Sequence, residues 1–350
     1  MNKEDIINIL KTVKYPGFSR DIVSFGLLQN VELNDSLAKV VLELTTSDSS
    51  LAKTLKESVE KILLEKANVE KVEVLVRLKT ENNSTDTGEK EKPSENLSGI
   101  TRIIAVASGK GGVGKSTLTA NLACALTRTG FPNGNNFRVG IMDCDLYGPS
   151  IPQVLGVAER PQLVGDNILA PVESFGVKCI SMGLLIDEES PVVWRGPMIM
   201  KTIQQFAHNV QWGELDYLLI DLPPGTGDAQ LSLAQILPLD GALIITTPQK
   251  AAVDVARRGA RMFEKVNVPI LGVVENMSYQ MNNGEKFHLF GKGGGASTAK
   301  ALECPFLGEI PLHEEVRLGG DHGTPVVITN PENISSLGFA SIAEKVVKLL

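Results

Sequence analysis

The pattern of apolar and polar positions changes partway along the chain and predicts two differently built regions. From Ile100 onward, short and nearly continuous apolar runs alternate with longer stretches of helical periodicity. The predicted strands cover 103–107, 138–142, 218–222, 242–246 and 270–275. The predicted helices cover 116–129, 197–210, 230–236, 251–265, 296–302 and 335–350. This alternation is typical of an α/β domain, here a doubly wound, mostly parallel sheet with both faces covered.

Residues 1–78 carry a shorter pattern that predicts a small α+β domain. Apolar residues recur at helical spacing near the start, at Ile6, Ile7, Leu10 and Val13. The segment 51–67 predicts a longer amphipathic helix, with Ser49 or Ser50 as its N-cap. Strands are predicted at 31–33, 38–44 and 72–78, with a turn at Asn34-Asp35 between the first two.

The intervening segment 79–99, KTENNSTDTGEKEKPSENLSG, contains one leucine and no aromatic residue. Such a segment buries too little apolar surface to order itself, so it is predicted to be a flexible linker. The predicted organisation is therefore a small α+β domain at 1–78, the linker at 79–99 and an α/β domain at 100–350.

Composition and charge narrow the class of protein. The chain has 350 residues, 43% of them hydrophobic, and a formal net charge of −7, with no tract rich in lysine and arginine. An acidic chain of this kind is not expected to bind nucleic acid, which requires a basic surface. The start, MNKEDIINIL, has no long apolar run, and no apolar stretch reaches the ~18 residues that a membrane span needs. We therefore expect a cytoplasmic protein without a membrane partner.

A glycine-rich turn follows the first strand of the predicted α/β domain. GKGGVGKS, at 109–116, fits the pattern G-x-x-x-x-G-K-[ST], with an apolar strand before it and a helix after it. In this motif backbone N–H groups surround a phosphate, the lysine reaches the β- and γ-phosphates, and the hydroxyl binds Mg²⁺. A turn that matches by chance is the alternative, but its structural context favours a nucleotide site. The residues expected to bind a nucleoside triphosphate here are Gly109, Lys110, Gly111, Gly112, Val113, Gly114, Lys115, Ser116 and Thr117.

Aspartates close two other predicted strands. Asp143 and Asp145 end one of them, in VGIMDCDLYGPS, and Asp221 ends the other, in YLLIDLPPGTGD. Because ligands of such sheets bind at the carboxyl ends of the strands, these side chains are expected beside the phosphate loop. There Ser116, Asp143 and Asp221 would hold Mg²⁺, partly through its waters, and the carboxylates would orient the attacking water. The alternative is that each aspartate caps the element that follows it.

A second lysine, Lys110, follows the first glycine of the loop. With this lysine, GKGGVGKS resembles the deviant Walker A motif of the class that contains MinD, ParA, ArsA and the nitrogenase iron protein. The resemblance implies a homodimer in which Lys110 reaches the partner's nucleotide. The alternative for Lys110 is an ordinary solvated loop lysine.

Further motifs make the resemblance more specific. They are DCDLYGPSIP (143–152), WRGPM (194–198), DLPPGTGD (221–228), ENMSY (275–279), GKGGG (291–295) and GEIPL (308–312). Together they are similar to the Mrp/ApbC family of ATP-dependent iron–sulfur cluster carriers, over about residues 100–350. Residues 1–78 resemble the small iron–sulfur-assembly domain of SufT and PaaD. GKGGG is not read as a second phosphate loop, because no G-K-[ST] follows it.

The resemblance implies an ATP hydrolase with iron–sulfur assembly machinery or apoprotein clients as partners. It implies catalytic roles for Lys110, Lys115, Asp145 and Asp221, with Asp145 polarising the water and Asp221 as the Walker-B-type carboxylate. It also implies that Asn276 reads the adenine edge, although an ordinary turn asparagine is the alternative.

The cysteines depart from the family pattern. Many members carry C-x-x-C shortly after N-M-S-Y, but this chain has QMNNGEKFHLFG at 280–291, and TTSDSS at 45–50 also has no cysteine. The four cysteines are Cys124, Cys144, Cys179 and Cys304, of which the first two are predicted to be small core residues. The ligands of an iron–sulfur cluster are therefore unassigned, and we expect either weak, labile cluster binding or none.

Two other functions stay open on the sequence alone. One is a MinD/ParA-like positioning ATPase that carries no cluster and acts at a membrane or DNA surface. The other is an ATP-dependent switch whose N-terminal domain recruits a partner. The C-terminal segment is amphipathic but offers only Lys345 and Lys348 as cations, so it is predicted to pack on the sheet rather than on a membrane.

Overall fold

A break in the packing divides the chain into two units, Met1–Lys90 and Glu91–Leu350, in the computed structural model. The structure describes residues 3–13, 22–23, 27–34, 37–44, 49–66, 71–78, 97–131, 134–145, 148–165, 168–184, 206, 209–225 and 228–350. The segment predicted as a linker, 79–99, lies outside the described residues except for a turn at 97–99. The motif WRGPM also lies outside them.

The described residues of the first unit form two helices and a three-stranded sheet. The elements are α1 (Lys3–Leu10), β1 (Leu28–Asn34), β2 (Leu37–Leu44), α2 (Ser49–Lys66) and β3 (Lys71–Leu78). β1 pairs antiparallel with β2, whereas β2 pairs parallel with β3 because α2 carries the chain back across the sheet. The core of this unit includes the predicted helix positions Ile6, Leu10, Leu55, Val59 and Leu63, together with Val40 and Leu42 of β2. Asp35, in the predicted turn, lies outside the described residues.

Strands and helices alternate along the second unit. Its strands are β4 (Ile100–Ser108), β5 (Val139–Asp143), β6 (Leu163–Gly165), β7 (Ile168–Leu169), β8 (Val172–Ser174), β9 (Val177–Ser181), β10 (Leu215–Asp221), β11 (Gly241–Thr246), β12 (Ile270–Glu275), β13 (Gln280–Asn282), β14 (Glu285–Phe287) and β15 (Phe306–Glu309). Its helices are α3 (Lys115–Thr129), α4 (Ile151–Val154), α5 (Asp228–Ile236), α6 (Lys250–Lys265), α7 (Gly294–Ala301), α8 (Glu314–Asp321), α9 (Val326–Thr329) and α10 (Ile334–Leu349). All five predicted strands occur, whereas most of the helix predicted at 197–210 lies outside the described residues.

In the described part of this unit, eight strands form one sheet in the order β15-β12-β11-β4-β10-β5-β9-β8. Neighbouring strands are parallel, except that β8 is antiparallel to β9. This arrangement confirms the predicted mostly parallel α/β fold. The carboxyl ends of β4, β10 and β5 lie side by side near the middle of the sheet, where a ligand site is expected. β9 and β15 were not among the predicted strands, and they widen the sheet on its two sides.

Helices cover both faces of the sheet and create two apolar cores. β4 contributes to both because its side chains alternate, with Ile104 in one core and Ile103 in the other. Phe339 of α10 is buried in the first core and Trp212 in the second. α10 packs against α3 and β15, which confirms that the C-terminal segment lies on the sheet. Among the described helices, none is both long enough and apolar enough to cross a bilayer.

Candidate functional site

The glycine-rich loop joins the central strand β4 to helix α3. Gly112 and Gly114 have φ of 77°, a left-handed conformation that glycine adopts without strain. A Cβ at Gly114 would clash with Nδ2 of Asn276, so a larger residue would require that side chain to move. Helix α3 begins directly at Lys115, and its unpaired N–H groups and positive dipole end therefore face the loop. This is the local geometry of an anion-binding loop.

A cavity of about 370 Å³ lies over this loop. Its lining includes all of the predicted loop residues except Gly109, together with Asp145, Ser150 and Pro224. Gly109 lies against α6, where an added Cβ would approach backbone atoms of Val255 and Ala256 to 2.5 Å. The need for glycine at position 109 therefore comes from close packing rather than from contact with the cavity.

Lys115 and Ser116 meet the predicted carboxylate Asp221 below the cavity. Lys115 Nζ donates to Asp221 Oδ2 at 2.5 Å, and Ser116 Oγ donates to the same oxygen at 2.6 Å. All three side chains are buried, and Lys115 Nζ also lies 3.9 Å from Oδ2 of Asp145. The structure thus brings the loop lysine, the loop hydroxyl and two predicted carboxylates into one cluster.

Asp143 occupies the position on β5 that pairs with Asp221 on β10. Its oxygens accept hydrogen bonds from Ser181 Oγ, at 2.8 Å, and from the backbone N–H of Asp145, at 3.1 Å. Burial, reinforced by the charge of Asp221, raises the pKa of Asp143 to about 7, against the lowering effect of these hydrogen bonds. Two buried carboxylates at paired positions of neighbouring strands favour a bound cation or a shared proton.

Lys110 lies on the rim of the same cavity. Its Nζ is 3.2 Å from Oε1 of Gln249, the residue that precedes α6. Its side chain is only partly buried, unlike that of Lys115. The two lysines of the loop therefore have different environments, one in the carboxylate cluster and one on the surface.

A second cavity of about 390 Å³ adjoins the first through Gly114, Thr117 and Ser150. Asn276 lies in its wall, where Nδ2 donates to the carbonyl of Val113 at 2.8 Å. The remaining lining is largely apolar and comes from Val154, Met277, Pro311, Leu312 and Val316, with Gln153, His313, Arg317 and Asp321 as polar members. Asn276 thus links the phosphate loop to a neighbouring, more apolar cavity.

The second glycine-rich segment, GKGGG, has a different structural role. It leads into α7, and the N–H of Gly295 in the first turn of that helix donates to Oε2 of the fully buried Glu275. Oε1 of Glu275 accepts a second hydrogen bond from Ser278 Oγ. The start of this helix is therefore already occupied by a carboxylate of the chain itself, which agrees with the expectation that GKGGG is not a phosphate loop.

The segment that lacks the family's C-x-x-C forms an exposed hairpin of β13 and β14. Lys286 of the hairpin lies 3.8 Å from the ring centre of Tyr279 and 3.5 Å from Glu309. None of the cysteines is near it in sequence. The hairpin is thus held by aromatic and ionic contacts.

The predicted core cysteines are buried, as expected. Burial raises the pKa of Cys124 to about 12 and raises the pKa of Cys144 and Cys179 well above the usual value. Cys304 is partly exposed. Within the described residues, no group of three or more His, Cys, Asp or Glu side chains is arranged to hold a metal ion.

Two hydroxyl groups in the cluster, those of Thr119 and Ser181, were not among the site residues predicted from the sequence. Thr119 Oγ1 lies 2.6 Å from Asp221 Oδ1, and Ser181 is the residue that hydrogen-bonds Asp143. Thr119 follows Lys115 by one helical turn, so the spacing alone could have placed it on the same face of α3. Ser181 ends β9, a strand outside the predicted set, and its position depends on the pairing of β9 with β5.

A phosphate loop after a central strand, with acidic side chains at the ends of two neighbouring strands, defines a P-loop nucleotide-binding protein. Comparison with known families supports the same class of protein. The chain belongs to the family described as NUBPL iron-transfer P-loop NTPase, which matches residues 99–347. A second family, described as iron–sulfur cluster assembly protein, matches residues 3–76.

Individual relatives support the same assignment. An iron–sulfur cluster carrier protein of Synechocystis is 40% identical over 99% of this chain and 97% of its own length. A nucleotide-binding protein of Archaeoglobus fulgidus, solved in complex with ADP, is 38% identical with a TM-score of 0.57, covering 71% of this chain and 90% of its own. MinD of Pyrococcus horikoshii, complexed with Mg-ADP, is 25% identical with a TM-score of 0.52, covering 71% and 96%.

Proposed function

We propose that this protein is an ATP-hydrolysing iron–sulfur cluster carrier that transfers clusters to apoproteins. The observation that carries the proposal is the buried cluster of Lys115, Ser116 and Asp221 below a complete phosphate loop. It occurs in a chain that is similar over nearly its whole length to a protein named as an iron–sulfur cluster carrier. The proposed organisation is the assembly-like domain at 1–78, the linker at 79–99 and the ATPase domain at 100–350.

The first cavity suits the phosphates of ATP. Backbone N–H groups of the loop and of the first turn of α3 provide hydrogen-bond donors, and Lys115 provides the charge beneath them. The oxygen ligands near Lys115 fit Mg²⁺, which commonly takes one or two carboxylates together with phosphate and water oxygens. Ser116, Asp143 and Asp221 would hold it, partly through water. Mg²⁺ would supply charge neutralisation at the β- and γ-phosphates.

Asp145 is the proposed residue that orients and polarises the attacking water. It lines the phosphate cavity, whereas Asp143 and Asp221 lie deeper, with no exposed surface. Asp145 also lies 3.9 Å from Lys115, the residue proposed to reach the γ-phosphate, and this supports the assignment. The proposed role of Asp145 is to position the water. Positioning and charge stabilisation together account for most of the catalysis of phosphoryl transfer.

The second cavity is proposed to take the base of the nucleotide. It adjoins the phosphate cavity at Gly114 and Thr117, and its apolar lining suits a planar heterocycle. Asn276 would present its amide to the adenine edge. Its present hydrogen bond to Val113 fixes the side chain at the junction of the two cavities.

The proposed active form is a homodimer in which Lys110 acts on the nucleotide of the partner subunit. The partly exposed position of Lys110 on the cavity rim supports this role. The further partners are apoprotein clients or the iron–sulfur assembly machinery, in a cytoplasmic setting. The iron–sulfur cluster is the cargo, and its ligands stay unassigned because three of the four cysteines are buried.

Anaerobic reconstitution with iron and sulfide, followed by incubation with an apoprotein, tests the proposal. The same preparation should hydrolyse ATP with Mg²⁺ and pass a labile cluster to the apoprotein, read by absorbance and iron content. Hydrolysis without any cluster binding or transfer would contradict the carrier function and favour the positioning ATPase or the partner-recruiting switch. Pelleting with anionic liposomes would then separate those two.

A further inference from the structure

Thr119 is a fully buried side chain inside the carboxylate cluster. Its Oγ1 lies 2.6 Å from Oδ1 of Asp221 and 3.0 Å from the carbonyl oxygen of Lys115. Neither the loop motif nor the predicted carboxylates account for this residue. Its position, one helical turn after Lys115 on α3, places it beneath the loop.

Thr119 has one hydroxyl proton and two possible acceptors, Oδ1 of Asp221 and the carbonyl oxygen of Lys115. In the short contact with Asp221 the Thr119 hydroxyl is the donor and the carboxylate oxygen is the acceptor. Hydrogen bonds to charged acceptors are also shorter and stronger than those to carbonyl groups, in line with 2.6 Å against 3.0 Å. Thr127 on the same helix differs, because its hydroxyl donates to a carbonyl of its own helix, that of Cys124.

The two oxygens of Asp221 therefore have separate donors. Oδ1 faces Thr119, while Oδ2 faces Lys115 and Ser116. The terminal torsion of an aspartate has a broad energy minimum, so its rotation is set by hydrogen bonds rather than by rotamer preference. A donor on Oδ1 leaves Oδ2 as the oxygen directed at the Ser116 hydroxyl.

We infer that Thr119 is a positioning residue that fixes the rotation of the Asp221 carboxylate, so that Oδ2 is presented to the Mg²⁺ position beside Ser116. This inference rests on the proposed function, since it assigns a role within the nucleotide site. Thr119 acts through Asp221 and makes no contact with the cavity. Substituting a residue that hydrogen-bonds a metal ligand commonly lowers the metal affinity by about 10- to 100-fold.

Three variants separate positioning from packing. Thr119→Val keeps the shape of the side chain and removes the donor, whereas Thr119→Ser keeps the donor and removes a methyl group. Thr127→Val is the matched control, because Thr127 is also buried on α3 but has its hydroxyl bond within the helix. Folding of each variant is checked by thermal melting.

The readouts are Mn²⁺ binding in the presence of ADP, followed by electron paramagnetic resonance, and the affinity for a fluorescent ADP with Mg²⁺ or with EDTA. Thr119→Val should weaken Mn²⁺ binding by about 10-fold or more, while its ADP affinity in EDTA changes by less than about threefold. Thr119→Ser and Thr127→Val should resemble the wild type.

Several results would overturn the inference. These are a folded Thr119→Val protein with wild-type Mn²⁺ binding, an equal loss in Thr127→Val, or no recovery in Thr119→Ser. If Thr119→Val does not fold, Thr119→Ala takes its place. Failure of both variants to fold would overturn the inference, because it would show that the hydroxyl is needed for folding rather than for positioning Asp221. A wild-type protein that binds no nucleotide would overturn the proposed function itself, which is a distinguishable outcome.

Discussion

Asp143 and Asp221 are directly paired in register on two neighbouring parallel strands, and both are fully buried. Two carboxylates at adjacent strand ends repel each other, and burial increases that cost. Lys115 lies against one of them, and Ser181 and Thr119 donate hydrogen bonds to the pair. The cluster therefore holds concentrated negative charge directly below the phosphate loop, an arrangement that suits a site for a divalent cation.

Replacing Lys115 by alanine should abolish ATP hydrolysis. The change removes the charge directed at the transferring phosphoryl group, so turnover should fall by at least ~10²-fold. Steady-state phosphate release measures it. Lys292→Ala is the matched control, because Lys292 also lies in a Gly-Lys-Gly segment but is exposed and away from the cluster. Turnover of Lys115→Ala equal to that of the wild type would reject the role assigned to Lys115.

ATP should drive the formation of a homodimer that depends on Lys110. A lysine that acts on the partner's nucleotide contributes only when the two faces meet. Sedimentation with a non-hydrolysable ATP analogue should show a dimer, and Lys110→Ala should lose either that dimer or its activity. The control variant Lys250→Ala changes an exposed lysine at the start of α6 and should keep both the dimer and the activity. A fully active protein that stays monomeric would contradict this prediction.

Iron–sulfur reconstitution should yield well under one cluster per dimer. The four cysteines are far apart in sequence, and burial raises the pKa of Cys124, Cys144 and Cys179, which disfavours the thiolate that a cluster needs. Each single Cys→Ser variant should therefore change the iron content little. A stable, stoichiometric cluster that disappears in one of these variants would show that the prediction is wrong and would identify a ligand.

Glu275→Gln should destabilise the second unit by about 1–3 kcal/mol. The carboxylate accepts from both Ser278 and Gly295, and an amide would place its own N–H group against one of these donors. Urea unfolding measures the change. Glu309→Gln is the control, because Glu309 pairs in register with Glu275 on the next strand but is partly exposed. Equal stability of the two variants would contradict a special role for Glu275.

The ion pair of Asp216 and Arg138 should make a pH-dependent contribution to stability. Burial by itself would raise the pKa of Asp216, but hydrogen bonds and charge from Arg138 outweigh it and hold the pKa below its usual value of 3.8. An acid with a lowered folded pKa adds stability above its unfolded pKa and loses it as the pH falls through the folded pKa.

The measurement compares Asp216→Asn with the wild type by urea unfolding at several pH values. The variant should be less stable by an amount on the order of 1 kcal/mol between pH 7 and pH 5, and the difference should shrink below about pH 4. Glu214→Gln, which changes the exposed partner of Arg138, should have a smaller effect. A deficit in Asp216→Asn that does not depend on pH would point to packing instead.

The features that depend on local spacing follow from the order of the amino acids alone. The strand, the phosphate loop and the helix follow one another without interruption from 103 to 129, so the motif could be identified without the fold. Apolar runs predict the five strands. The aspartates that close two of these strands predict that Asp143, Asp145 and Asp221 belong to one site. Local pattern suffices there because each element's periodicity is set by its own residues.

Which side chains meet, in contrast, depends on strand pairing and packing in the folded protein. The register of β10 with β5 places Asp221 opposite Asp143, and the addition of β9 brings Ser181 to the same point. The approach of Asn276, together with a left-handed φ, favours glycine at position 114, and burial raises the pKa of the Cys144 thiol beside the site. Strand pairing and burial join residues that are distant along the chain, and short-range periodicity carries no information about such contacts.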